Sequence, residues 1–433
     1  MLSGLLRYLL KKLARAVINK YQPKIIGITG SVGKTTTKEA VLMVLAKKYR
    51  VRGNIKNYNN EIGLPLTILG LESPGRSLIG WFKVVVLAGK LIYQTDPNYP
   101  EFIVLEMGVD HPGDMDYLLS IVRPAIGVIT VIGQAHLEFF GSQDNIAKEK
   151  GKLITSLPSD GWAILNADDR RVSSMADNSQ AKIITYGFGP QAEVRAVDLR
   201  FNYQQLGQAS VKSLAGLVLK LNYQGSVVPL ALPAIISEAA VYSVLAAVAV
   251  GLSQEIGLLE IAEAVSSFRS PKGRLNILPG SQGRILLDDS YNASPTSVAA
   301  ALNILSRLPA ESVNQRVAIL GDMLELGVDG PAEHRRLGQI IAKLPIGQLI
   351  LVGKLAELIG QEAKEQGWQG RIDNFAESVL AASQISEIIP AEALVLLKGS
   401  QGARIERIVK VLLSDPGLAA SQLVRQDGQW LDS

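Results

Sequence analysis

Apolar and polar positions alternate in blocks along this chain. Between Lys24 and about Thr185, short apolar runs of β type are separated by stretches with helical spacing. Ile25–Thr29, Phe102–Met107, Ala125–Val131 and Ala163–Asn166 are predicted strands, and Lys38–Lys47, Gly113–Val122 and Ser142–Ser156 are predicted helices. That order is the βαβ pattern of a doubly wound parallel sheet. From Ala192 to Leu232 the pattern changes to three short strands with turns between them, which predicts an antiparallel patch. Ser237–Gly251 reads as an Ala-rich helix and Gly257–Ser267 as another. Ser270-Pro-Lys-Gly-Arg274 is turn-rich and marks a junction. Beyond it the β/α alternation resumes with Arg284–Leu287, Arg316–Leu320, Leu349–Val352 and Ala393–Leu397, predicting a second α/β domain with its own core. The expected organisation is an N-terminal helix over 1–23, a central domain over 24–277 and a C-terminal domain over 278–433.

The first 21 residues place Leu2, Leu5, Leu6, Leu9, Leu10, Leu13 and Val17 on one helical face and Arg7, Lys11, Lys12 and Arg15 on another, with no acid. A basic amphipathic helix can lie on an anionic membrane or pack on its own domain. Both readings stand at this level, and a contact with a membrane or with cell-wall enzymes would run through this helix. Leu78–Tyr93 is also apolar but short for a membrane span, and Lys83 and Lys90 interrupt it.

Composition narrows the field. The chain has 433 residues, 47% of them apolar and 19% charged, which describes a globular protein of two or three domains. A net charge of +4 is too small to argue for nucleic acid. Cysteine is absent, so disulfides, zinc ribbons and thiol chemistry are excluded. No secretory leader is evident, and a cytoplasmic location is expected.

The chemistry begins at Thr29-Gly-Ser-Val-Gly-Lys-Thr-Thr-Thr37. A strand feeds a Gly-rich turn, and a Lys-Thr pair then opens a helix. Backbone N–H groups of such a turn cradle phosphates, a lysine (Lys34) reaches the terminal ones, and a hydroxyl (Thr35) ligates Mg²⁺. Gly30, Ser31, Gly33 and Thr36 complete the cradle. The general phosphate-loop spacing would want glycine at Ile28, and the nearest is Gly27. Glu106 ends the apolar strand Phe102–Met107, where ligands of such sheets sit, and is placed to hold Mg²⁺ beside Thr35. His136 follows the strand Ala125–Val131, where a metal or phosphate role competes with a structural one. Lys148 and Lys150 lie on the next helix, and from the residues alone they are equally a solvated basic face. Asp288-Asp-Ser-Tyr-Asn-Ala-Ser-Pro295, Gly321-Asp-Met-Leu-Glu-Leu-Gly327 and Lys398-Gly-Ser400 follow strands of the second domain and should line one edge of it, facing the nucleotide.

Together with Asn57–Thr67, Ala135–Gly141 and Ala147–Gly151, these segments resemble the Mur ligase family, and within it the MurF branch. The likeness covers about residues 24–433. It implies a P-loop central ATPase domain followed by a Rossmann-like C-terminal domain. It also implies an ATP-dependent amide ligase of peptidoglycan precursor synthesis, joining D-alanyl-D-alanine to the terminal carboxylate of a UDP-N-acetylmuramoyl-tripeptide through an acyl phosphate. By the same resemblance Lys34, Lys150 and His136 are catalytic. Thr35 and Glu106 hold one Mg²⁺, and His136 and a carbamylated Lys150 a second. Arg274, Asp289, Tyr291 and Asn292 meet the nucleotide from the C-terminal domain. Two departures stand out. Only 23 residues precede the region of likeness, so the family's usual first domain, which holds the uridine nucleotide, has no counterpart in the sequence. Ala239 and Ala240 stand where the family usually has a His-Asn pair that helps read adenine. The alternatives are a related ligase acting on another carboxylate (a folate glutamate chain, a polymer or a lipid-linked muropeptide) and a non-catalytic ATP-binding partner. The zinc-ribbon type within the family would need cysteines.

Overall fold

A computed structural model describes residues 2–54, 58–133, 137–205, 212–310, 312–426 and 430. It divides into two compact units, Met1–Pro233 with Glu238–Phe268, and Ala234–Ser237 with Arg269–Ser433.

The first unit is built on one sheet: β1 (Lys24–Thr29), β2 (Val51–Gly53), β3 (Phe102–Glu106), β4 (Ile126–Ile129), β5 (Trp162–Asn166), β6 (Lys182–Gly187), β7 (Val194–Gln205), β8 (Lys212–Tyr223) and β9 (Ser226–Leu232). Their order is β2-β3-β1-β4-β5-β6-β7-β8-β9. The pairs from β2 to β7 are parallel and the last two antiparallel. All residues of β3 and β4 are buried, because helices cover both faces of a parallel sheet and its strands read as continuous apolar runs. The three late strands are antiparallel as their sequence suggests, yet they extend the parallel sheet rather than forming a separate patch. The link is short: β6 joins β7 through Tyr186↔Val194 and Gly187↔Arg195. The register places Ile28 beside Glu106 and Thr29 beside Ile129, so the ends of β1, β3 and β4 share one edge.

The first helix, Leu2–Tyr21, lies against the helices Gly63–Leu69 and Leu78–Tyr93. Leu10, Ala14 and Val17 are fully buried in the core of this unit. Most of its apolar stripe is therefore used inside its own domain, while Leu5, Tyr8 and Leu9 stay exposed. Among the described residues no helix is long and apolar enough to cross a membrane.

The second unit holds β10 (Asn276–Pro279), β11 (Ile285–Asp289), β12 (Arg316–Gly321), β13 (Gln348–Val352), β14 (Arg371–Phe375) and β15 (Leu394–Lys398), in the order β10-β11-β15-β12-β13-β14. Only the β10–β11 pair is antiparallel. Its core is a separate cluster in which Leu286, Ile319, Val395 and Leu397 are fully buried. Because β11, β15 and β12 are neighbours, the segments after them, beginning at Ser290, Gly399 and Asp322, emerge together at the carboxyl edge.

Candidate active site

β1 ends at Thr29, whose hydroxyl donates to the carbonyl of Met107 at 2.9 Å and ties the loop to the end of β3. Gly30 follows with φ 143°, and a Cβ there would lie 1.9 Å from Thr130 Oγ1. Only glycine fits, on both backbone and steric grounds. Thr130 Oγ1 donates to the Val32 carbonyl at 2.6 Å, and Ser31 N–H donates to the Val131 carbonyl at 2.8 Å, so the segment after β4 braces the loop. Gly33, in the left-handed region at φ 87°, caps the helix Lys34–Leu45. The helix thus begins where the loop ends, and a helix N-terminus behind such a loop is the arrangement that takes up phosphate.

Lys34 Nζ donates to the Gly30 carbonyl at 2.9 Å, folded back over the loop. Thr35 Oγ1 donates to Glu106 Oε2 at 2.9 Å. The predicted pair of hard oxygen donors is thus together at the mouth of the loop, the donor set Mg²⁺ prefers when phosphates supply the rest. Thr36 is buried in the same first turn. Lys150 comes from the helix Gln143–Thr155 and is 2% exposed, with its Nζ 3.4 Å from the Val109 carbonyl. Burial first, and the charge of Lys34 second, push its pKa down to about 7 against the pull of Asp110, Glu149 and Asp114. A buried amine that is about half neutral near pH 7 is chemically competent to react with carbon dioxide. His136 lies outside the described residues.

Three positioning residues were not singled out from sequence. Asn54 Oδ1 accepts the Glu106 backbone N–H at 2.7 Å, and its Nδ2 donates to the carbonyls of Tyr58 and Glu106. Lys38, 2% exposed, donates to the Asn54 carbonyl at 2.7 Å and pairs with Glu39 at 3.0 Å. Glu149 accepts the backbone N–H groups of Gly113 and Met115 at 3.0 and 3.1 Å, capping the helix Asp114–Ile121 and locking it to the helix that carries Lys150. Ala239 and Ala240 open the helix Glu238–Ser253 and offer no polar side chain. Nearby, Tyr242 donates to Asp168 Oδ2 at 2.8 Å and meets the Phe188 ring edge-on at 4.8 Å.

In the second unit Asp289 pairs with Lys398 at 2.7 Å, and Lys398 also donates to the Asn292 carbonyl at 2.9 Å. Burial raises the Asp289 pKa, and the lysine opposes that shift. The Arg274 guanidinium sits over the Tyr291 ring at 4.2 Å, while Tyr291 N–H donates to the Gly273 carbonyl at 3.0 Å. Lys398 thus joins Asp289 to Asn292, and Arg274 stacks on Tyr291, the residue before Asn292. Ser400 donates to the Asp322 carbonyl through both N–H and Oγ, tying the last two segments together. His334 is structural: its Nε2 accepts the Met323 N–H at 3.0 Å, which puts the proton on Nδ1, facing the Gly330 carbonyl at 2.6 Å.

A phosphate loop with its acid and buried lysine in one α/β unit, followed by a second α/β unit, defines an ATP-dependent ligase class. The Mur ligase middle domain matches residues 28–79 and 85–251, and the Mur ligase glutamate ligase domain matches residues 273–401. The chain belongs to the Mur ligase family. Within it, the chain is 30% identical to the UDP-N-acetylmuramoyl-tripeptide--D-alanyl-D-alanine ligase of Bacillus subtilis over 94% of this chain and 79% of that one. It is 32% identical to the enzyme of the same name from Synechocystis over 90% of this chain and 75% of that one. Its fold resembles the crystal structure of MurF from Acinetobacter baumannii with a TM-score of 0.74, at 26% identity, covering 93% of this chain and 79% of that one.

Proposed function

We propose that this chain is the ATP-dependent ligase that joins D-alanyl-D-alanine to the terminal carboxylate of a UDP-N-acetylmuramoyl-tripeptide in peptidoglycan precursor synthesis. The observation that carries this reading is the Thr35–Glu106 contact at the mouth of the Lys34 loop, with buried Lys150 on an adjoining helix, in a Mur ligase chain. The carboxylate oxygen of the tripeptide attacks the γ-phosphorus of ATP and ADP leaves. The amine of D-alanyl-D-alanine then attacks the acyl carbon, phosphate departs with its bonding pair, and the amine gives up a proton. Such chemistry asks mainly for positioning and for charge on the transferring phosphoryl group.

In this proposal Lys34 clamps the β- and γ-phosphates, Gly30 and Ser31 shape the loop around them, and the amides of Gly33, Lys34, Thr35 and Thr36 orient them. Thr35 and Glu106 would hold one Mg²⁺, and His136 and carbamylated Lys150 a second. Magnesium would supply neutralisation of the charge that gathers on the phosphoryl oxygens. Arg274, Asp289, Tyr291 and Asn292 contribute to nucleotide binding. The lowered Lys150 pKa supports carbamylation, since only the neutral amine captures carbon dioxide. We place the reaction in the cytoplasm. Peripheral contact with a membrane or with cell-wall enzymes through the first helix belongs to the same proposal. Its support is the exposed Leu5, Tyr8 and Leu9 beside basic Lys12 and Arg15.

The test is phosphate release from Mg²⁺-ATP with UDP-muramoyl-tripeptide, with and without D-alanyl-D-alanine, with product mass read by mass spectrometry. Release that needs both substrates and yields the pentapeptide is expected. Nucleotide binding without release would move the assignment to another carboxylate.

A further inference from the structure

The helix Leu78–Tyr93 presents an apolar face outward. Its inner face is accounted for: Val84 and Ala88 are buried in the core cluster, with Trp81, Leu91 and Ile92 partly buried against it. Ser77 caps its start by accepting the Gly80 N–H at 3.1 Å. Lys20 and Tyr21 of the first helix donate to the Leu91 and Gln94 carbonyls at its end. The helix is thus fixed in place by side chains of the core and of its neighbour. On the outward face Ile79 is 72%, Phe82 68% and Tyr93 90% exposed, and Val86 completes the stripe between them. These positions recur at helical spacing, so they form one continuous face rather than scattered residues.

Along this helix the charges have one sign, and Glu61, which reaches the first helix, is paired with Arg7 at 3.1 Å. Lys83 and Lys90 flank the stripe, Arg76 precedes it, and no acid lies between Glu72 and Asp96. The first helix, packed alongside, adds exposed Leu5 and Tyr8 with Lys12 and Arg15, and no acid occurs among the first 21 residues. An apolar stripe with aromatic rings, flanked by lysines long enough to lift their ammonium groups to the headgroups, matches the chemistry of an anionic lipid surface. A neutral protein partner would gain nothing from the missing acids.

We propose that the outward face of Leu78–Tyr93 is a docking surface for an anionic lipid bilayer, holding the enzyme at the membrane surface without spanning it. This rests on the peripheral contact proposed above and moves its centre from the first helix to this one. The stripe dips into the acyl boundary, and Lys83, Lys90 and the exposed Lys12 and Arg15 of the first helix meet lipid phosphates. All of these residues lie outside the phosphate loop, residues 30–36.

Flotation of the full chain with phosphatidylcholine vesicles, alone or mixed with phosphatidylglycerol, tests this. Binding to the mixed vesicles only, and its release by salt, are expected. Ile79→Ser with Phe82→Ser should weaken partitioning on the order of tenfold or more. Lys83→Gln with Lys90→Gln should weaken it about thirtyfold. Ligation in solution by both double variants should stay at the wild-type level. Absence of wild-type binding to mixed vesicles overturns the proposal. So does loss of binding with Leu5→Ser and Tyr8→Ser while the two Leu78–Tyr93 variants still bind, which would return the contact to the first helix. A concentration-dependent dimer that Ile79→Ser with Phe82→Ser abolishes, without vesicle binding, would make the face a self-interface. Vesicle binding is read without turnover, so failure of the ligase assay leaves this result standing on its own.

Discussion

Asn54 lies 52 residues before Glu106 in the chain, yet its side chain takes that residue's backbone N–H. Glu106 sits at the strand end where its motif predicts, but the group that holds it there is visible only in three dimensions. Asn54→Ala should leave a buried N–H without a partner, costing about 1–3 kcal/mol of stability. It should also raise the Mg²⁺ needed for half-maximal phosphate release by roughly tenfold or more. An unchanged Mg²⁺ requirement would remove Asn54 from the site. Lys150→Ala should abolish ligation while nucleotide affinity, measured by titration calorimetry, stays within a few-fold. Turnover at the wild-type rate would withdraw the role given to Lys150. Asp288 provides a pH test. Burial pushes its carboxyl up to about 6, against hydrogen bonds from Ser290, and its Oδ2 has no partner among the described residues. Between the ordinary value near 4 and about 6 the folded state holds a proton that the unfolded state has lost, so stability falls as pH rises through that window. Asp288→Asn should flatten that fall and stabilise the protein at pH 7 by about 1–3 kcal/mol, read from urea unfolding at several pH values. A slope identical to wild type would contradict the shift.

At the scale of elements, the phosphate loop was legible because its requirements are local: a strand, glycines at positive φ and a helix start within a few residues. Gly30→Ala should cost about 1–3 kcal/mol through strain and the clash with Thr130, and should abolish ATP binding in a calorimetric titration. Retained binding would mean that the loop can rearrange. Short or polar strands were less legible. β2 has three residues, and β14, Arg-Ile-Asp-Asn-Phe, lies at the sheet edge where solvent tolerates polar side chains. The strand character of β7 to β9 was readable from alternation. Their partner β6 was not, because alternation specifies a face and carries no information on which strand lies beside it.

On the scale of the whole molecule, two units have separate cores, and the loop residues 30–36 belong wholly to the first. Leu396→Ala, in the fully buried β15, should destabilise the second unit by about 2–5 kcal/mol. Hydrogen exchange should then show lost protection in peptides from 269–433 and native protection in β1, β3 and β4. Equal loss in both would mean that they unfold as one. The sequence by itself determined the strand-and-helix alternation, the phosphate loop, the acid at the end of β3 and the family of the chain, because each is written in neighbouring residues. Tertiary structure alone decided which distant side chains brace the site, as Asn54 does for Glu106 and Glu149 for the Lys150 helix. It also decided that the apolar stripe of the first helix is largely spent inside while Ile79 and Phe82 face out. Burial depends on what the rest of the chain covers, and an apolar residue carries the same letter in either place.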